Sequence, residues 1–308
     1  MPVPRLGRMS MLSRSLVPLV LVALVAGCGG PSATPPAGTD GPPPDATEQP
    51  EPPGGDAIDH PTGPTDVILR YEEGGGFMMP SFLVTIAPIF TLYGDGTIVF
   101  RDPRDEVAPD GPVMRQNPFR TAVMSEAQVQ ELLAFALGEG GLGVARPTYE
   151  NPMIADAGTA VFTVRAGGLD KTVSVYALGL DGEGVPDLPA RAAFQRLAER
   201  LMNIDNDGAF FTDVYVPEAY RGILIDEGGF ADGAPMPWPF ADLTEDDFTV
   251  DPTNQNLQFP SRVMTPDEAA ELGIENFEGG LSGISIRSPD GSTTYSFALR
   301  PLLPDEEE

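Results

Sequence analysis

From Thr65 onward the chain sets short runs of β-branched and aromatic residues between turns rich in Gly, Asp and Pro. Three stretches interrupt this pattern with helix signals. Val84 to Leu92 and Thr97 to Arg101 flank Tyr93-Gly94-Asp95-Gly96, where Asp-Gly supplies the positive φ angles of a tight turn, so the pattern predicts a hairpin. Ser125 and Gln128 form a capping box, and Val129, Leu132, Leu133, Ala136 and Leu137 recur at helical spacing. A helix with one buried stripe, ending near Gly140, is expected there. Thr265, Pro266 and Glu268 repeat the start signal, with proline where a missing N–H costs nothing, and predict a helix ending near Gly279. Between them, Phe194, Leu197, Ala198 and Leu201 share one side of a helix from about Pro189 to Met202, expected to pack against both halves of the chain. Gly167-Gly168-Leu169-Asp170 and Ser288-Pro289-Asp290-Gly291 each predict the turn of a further hairpin.

These elements occur in the same order twice. Ile68-Leu69-Arg70-Tyr71-Glu72-Glu73-Gly74-Gly75-Gly76-Phe77 is echoed by Ile223-Leu224-Ile225-Asp226-Glu227-Gly228-Gly229-Phe230. Val123-Met124-Ser125 is echoed by Val263-Met264-Thr265, and Gly140-Gly141-Leu142 by Gly279-Gly280-Leu281. A strand ending in Arg165 or Arg287 then leads to a second strand ending Tyr176-Ala177-Leu178 or Phe297-Ala298-Leu299. Four echoes in one order point to internal duplication. The expected fold class is α+β: antiparallel sheet meanders, each packed by one helix, in two diverged copies of a β-β-β-α-β-β unit. The copies span 65–185 and 218–304, joined by a helix and loop over 186–217.

The N-terminal pattern differs. Arg5, Arg8 and Arg14 precede Leu16 to Gly27, which carries no charge, and the run closes on Val25-Ala26-Gly27-Cys28. Twelve residues are too few to span a bilayer, which takes roughly 20 in a helix, so the segment reads as a cleaved signal peptide, 1–27. It resembles the signal and lipobox of bacterial lipoproteins. That resemblance implies diacylation of Cys28, a membrane anchor, and an extracytoplasmic location at a bacterial membrane or cell surface. Residues 28–64, dominated by Pro, Gly, Thr, Asp and Glu, are expected to form a disordered tether. At about 3.1 Å per residue it reaches up to ~100 Å. His60 within it is expected to be a solvated bystander, and the acidic tail 305–308 to fray. The strand-turn-strand from Phe90 to Thr97, with the capped helix and closing hairpin after it, loosely resembles domains of uncharacterised bacterial lipoproteins, which imply no catalytic residue.

Loss of Arg5, Arg8 and Arg14 with the signal peptide moves the formal net charge from −28 to −31. Such a surface repels phosphate backbones, so nucleic acid is not an expected partner, whereas a basic or cationic envelope partner is. Cys28 is the sole cysteine and His60 the sole histidine. Neither lies in the expected folded region, which removes Ser-His-Asp and Cys-His catalysis and the usual zinc ligands. Paired carboxylates remain as possible catalysts, and with 46 acids no pair stands out.

Asn203-Ile204-Asp205-Asn206-Asp207-Gly208 resembles the start of a calcium loop, with ligands Asn203, Asp205 and Asp207 and perhaps Asp213. It departs from that pattern at position one, which is Asn203, and at position twelve, where Val214 stands in place of a bidentate glutamate. The alternative is a polar helix cap and turn. Glu72 and Glu73 before three glycines form either a ligand edge or a mobile loop. Trp238 in Pro237-Trp238-Pro239-Phe240 either plugs a partner's pocket or packs in the core. Lys171 beside its turn is expected to be solvated. The function expected from all this is a lipid-anchored binding or interaction module without catalytic activity. A carboxylate-dependent hydrolase of envelope polymers and a structural envelope lipoprotein are the alternatives.

Overall fold

The structure, a computed structural model, describes residues 57–76, 85–104, 113–205, 208–226, 234–250 and 259–306. In chain order, β1 (Val67–Gly74), β2 (Phe90–Tyr93), β3 (Thr97–Arg101), β4 (Met114–Arg115) and β5 (Phe119–Val123) lead to helix α1 (Glu126–Leu137). After it come β6 (Thr148–Tyr149), β7 (Thr159–Ala166), β8 (Leu169–Tyr176) and helix α2 (Leu188–Met202). The rest comprises β9 (Asp213–Val214), β10 (Tyr220–Asp226), β11 (Ser261–Met264), helix α3 (Pro266–Ala270), β12 (Leu281–Arg287) and β13 (Thr294–Pro301). The α+β character is therefore strongly weighted to strand.

Two sheets result. The larger runs β6-β8-β7-β1-β2-β3-β5-β9, antiparallel except where β6 joins β8, and the smaller runs β11-β10-β13-β12-β4. Their orders differ at an instructive place. In the larger sheet β1 neighbours the first arm of the following hairpin, β7, whereas β10 neighbours the second arm, β13. The smaller sheet also borrows β4 from the first half, where Arg115 pairs with Leu281 and Met114 with Ser282.

Local signals set most turns. Gly96, at φ 89°, closes the β2–β3 hairpin with its N–H donating to Tyr93, and a Cβ there would lie 2.5 Å from Met124 O. Gly167 and Gly168 both take positive φ between β7 and β8, the geometry a two-residue hairpin needs. Proline has a part in the first hairpin too: the expected strand 84–92 pairs only from Phe90, just past Pro88, which has no N–H for a ladder. Both capping boxes form, at Ser125–Gln128 and Thr265–Glu268.

Helix α3 is far shorter than the expected run to Gly279. The chain turns at Gly273 (φ 65°) and Asn276 (φ 56°), left-handed positions a helix cannot pass through. Helix α2 also departs from expectation. Its Phe194, Leu197, Ala198 and Leu201 join Val129, Leu132, Leu133 and Ala136 of α1 against Leu69, Tyr71, Phe90, Ile98, Phe162 and Val164. Both helices thus cover one face of the larger sheet, and α2 packs into the first half alone. Each fully buried Leu or Phe contributes about 1.5–3 kcal/mol there. The smaller sheet has its own core, where Leu224, Ile284, Phe297 and Leu299 meet Phe240, Phe248 and Met264. On the other face of the larger sheet Tyr93, Val99 and Phe119 pack against Leu303, so the C-terminal segment lies over it.

Candidate functional site

Glu72 and Glu73 lie within β1, paired across to Val161 and Ala160, and are not in a mobile loop. Glu73 accepts a hydrogen bond from the buried Tyr71 hydroxyl. Burial first, and that carboxylate second, push the Tyr71 phenol well above its ordinary range. Glu72 alternates to the opposite face, among Arg70, Arg300, Asp305 and Glu306. Burial holds its carboxyl above the usual carboxylate range despite the two arginines.

These groups belong to a polar seam that composition did not reveal. Arg70 Nη2 donates to Asp305 Oδ1 at 2.6 Å, and the Tyr93 hydroxyl donates to the same oxygen at 2.7 Å. Arg300 donates from Nε to Ile86 O at 2.9 Å and from Nη2 to Glu306 Oε1 at 2.7 Å, while Leu303 N–H donates to Glu306 Oε2. The acidic tail is therefore docked at Asp305 and Glu306, against the expectation of fraying. Arg101 completes the seam with hydrogen bonds to Asn117 O and Gly279 O, its guanidinium 4.0 Å from the Phe119 ring centre. Burial, aided by Arg300, pulls its pKa down to about 10. Here the carboxylates are matched to guanidinium and phenol donors. Such pairing fixes the geometry of the seam.

Of the calcium ligands considered, Asn203 sits at the C-terminus of α2 and donates from Nδ2 to Glu199 O, a helix cap. Asp205 is buried, with Oδ1 accepting from Phe210 N–H at 2.9 Å and Oδ2 3.4 Å from Arg104 Nη2. The same nitrogen donates to Asp205 O at 2.8 Å, and Arg104 also hydrogen-bonds Asp102, holding that carboxyl below its usual range. A guanidinium thus stands beside Asp205 where a cation ligand set would want open space. Asp213 pairs with Thr121 in the outermost strand, β9, and Asp207 lies outside the described residues. Among the described residues no group of three or more His, Cys, Asp or Glu is placed to hold a metal ion.

Trp238 is half-buried. Its Nε1 donates to Leu243 O at 2.7 Å and its ring meets Phe240 and Phe248 edge-on at 5.4 and 6.2 Å, so it packs in the core of the smaller sheet. Lys171 spans to the carbonyls of Gly143 and Ala145 instead of standing free in solvent. His60 is likewise engaged. Its ring lies 2.7 Å from Pro61 O and 3.4 Å from Glu126 Oε1, and Ile58 exchanges hydrogen bonds with the Gln130 amide, so the last residues of the expected tether are docked on α1. Cys28 lies outside the described residues.

Sequence reasoning also missed Arg191. This side chain, on helix α2, is fully buried. Its Nε bonds Asp181 Oδ1, and Nη2 donates to Tyr176 O at 2.9 Å and Ala177 O at 2.7 Å. Nothing but its place on the Phe194 and Leu197 side of the helix, three and six residues away, hinted at this. An open, shallow groove of about 440 Å³ lies at the β5–β9 edge, lined by Thr121, Val123, Gln128, Phe210, Phe211 and Asp213. It gathers no catalytic set.

Among the described residues no helix is long and apolar enough to cross a membrane. A scan against protein-family models and searches of curated proteins and of solved structures return no match.

Proposed function

We propose that the chain is a bacterial lipoprotein, cut before Cys28, diacylated there, and displayed outside the cytoplasmic membrane as a non-catalytic module that binds a basic or cationic envelope partner. The observation that carries the anchor is Val25-Ala26-Gly27-Cys28 closing an uncharged apolar run behind three arginines. The binding half rests on charge. A mature surface of net −31 attracts cationic partners and disfavours anionic ones. Asp305 and Glu306 support the non-catalytic reading, since they accept hydrogen bonds from Arg70, Tyr93, Arg300 and the Leu303 backbone. Calcium forms no part of it, because Asp205 already faces Arg104.

Common descent of 65–185 and 218–304 belongs to the same reading. The four ordered echoes support it, and the unlike neighbours of β1 and β10 oppose it.

Mass spectrometry of the chain produced in a bacterium that processes lipoproteins tests the anchor. The expected N-terminal peptide starts at Cys28 and carries a diacylglyceryl group, lost in Cys28→Ser. Recovery of the intact Met1 start would remove the anchor. Binding is tested separately with the mature protein, which should retain a saturable cationic partner at low and moderate salt.

A further inference from the structure

We propose that loops 150–158 and 177–187 together form the docking face for a cationic protein segment with an apolar centre. This deepens the binding reading above and rests on it. The two loops are one surface. Asn151 Nδ2 donates to Leu180 O at 3.1 Å, Ala157 N–H to the Tyr176 hydroxyl at 3.0 Å, and Ala177 N–H to Gly158 O at 2.8 Å. A Cβ at Gly184 would lie 4.0 Å from Met153 Sδ, so that methionine reaches across onto the other loop.

The surface shows both apolar side chains and acids to solvent. Met153 is 63 % exposed, Leu180 54 % and Ile154 37 %, and the same two loops carry the exposed acids Glu150, Asp156 and Glu183. Apolar tips on loops that also carry acids match an aliphatic segment flanked by Lys or Arg, with the apolar tips supplying affinity and the acids selecting charge. A second copy of this chain would bring the same acids together, so repulsion disfavours it.

The support beneath the face is more elaborate than a loop end requires. Arg191, at 0 % exposure, holds the carbonyls of Tyr176 and Ala177 and the Asp181 carboxylate, while its Nη1 stays buried without a partner. Taking a cation out of water carries a large desolvation penalty, and an apolar residue would fill the space as well. Asn151, also buried, satisfies Leu180 O and Met153 N–H. Of four non-glycine residues with positive φ among the described residues, Asp156, Ala177 and Asp187 lie in these two loops. Ala177 (φ 51°) has no side-chain polar group to offset that strained conformation. The outlay is accounted for by rigidity. A face fixed before encounter loses less entropy on binding.

The test uses the full mature protein and a fluorescent amphipathic peptide of leucine and lysine, followed by anisotropy at near-physiological salt. Saturable binding is expected. Met153→Ser with Leu180→Ser should weaken it about tenfold or more. Glu150→Gln with Asp156→Asn and Glu183→Gln should weaken it and flatten its salt dependence. Two controls on the smaller sheet's side, Asp246→Asn and Val263→Ser, should bind as the parent does, and circular dichroism checks that all variants fold. If the parent does not bind, the binding reading itself falls. If the parent binds and the Met153/Leu180 variant binds equally, this face is wrong while the reading survives. Concentration-dependent dimerisation abolished by that variant would hand the face to self-association and overturn the cationic partner.

Discussion

Asp305 accepts a 2.6 Å hydrogen bond from Arg70, a residue 235 positions earlier, and so ties the end of the chain to the middle of the larger sheet. Both side chains are mostly shielded, at 14 % and 18 % exposure. Removing one partner of such a pair leaves an uncompensated charge, which costs more than the pair is worth.

Asp305→Ala should therefore destabilise the protein by about 2 kcal/mol, discounted from the full buried-pair value for partial exposure. Urea unfolding reads this as a lower midpoint with an unchanged slope. Arg70→Met added to Asp305→Ala should recover part of the loss, because no orphan charge remains. A double variant as weak as the sum of the singles would show that the two residues act independently.

Glu72 behaves in the opposite sense. Its folded-state carboxyl titrates above the ordinary value, chiefly through burial, so the folded chain binds the proton more tightly than the unfolded chain. That contribution favours folding below the unfolded pKa and is lost as pH rises through the folded one. Glu72→Gln should raise the urea midpoint at pH 7 and change little at pH 4. A lower midpoint at pH 7 would mean that the Arg70 and Arg300 contacts outweigh the burial.

Arg191→Ala removes a fully buried side chain together with three contacts, and should cost about 3–5 kcal/mol. Arg191→Lys should recover little, since an ammonium cannot reproduce the planar fork that reaches Asp181 and two carbonyls at once. Thermal unfolding followed by circular dichroism checks both. Lys restoring the parent transition would reduce the role of Arg191 to charge alone.

Millimolar calcium should leave the thermal midpoint of the parent unchanged, because stabilisation by a ligand requires binding to the folded state. Asp205→Ala should lose about 1–3 kcal/mol without calcium, as Phe210 N–H and Arg104 lose an acceptor. A calcium-dependent rise in the parent, absent from Asp205→Ala, would restore the metal loop.

Signals confined to a few neighbouring residues were legible in advance. Ser125 with Gln128, Thr265 with Glu268, Gly167-Gly168 and Asp95-Gly96 each set a cap or turn by local stereochemistry, and each is in place. Lost were relationships that depend on distant chain. Residues 68–71 and 223–226 read alike, yet their pairing partners are fixed by which hairpin arm arrives beside them. Helix α3 stops short at Gly273 and Asn276, whose left-handed backbone the start signal at Thr265 does not foretell. Arg191, Arg300 and Lys171 look like solvent-facing cations by composition. Only the carbonyls brought to them by tertiary contact decide otherwise.

Strand β4 pairs with β12, so Arg115 must wait for Leu281 to be synthesised before it finds its partner. On the ribosome the first half would emerge with this short ribbon idle and Arg70 still without Asp305. Closure of so long a loop comes late and slowly, and a protease acting meanwhile meets an unfinished edge. A chain cut between residues 217 and 218 would yield fragments that each need the other, behaving as complementing pieces and not as two separable domains.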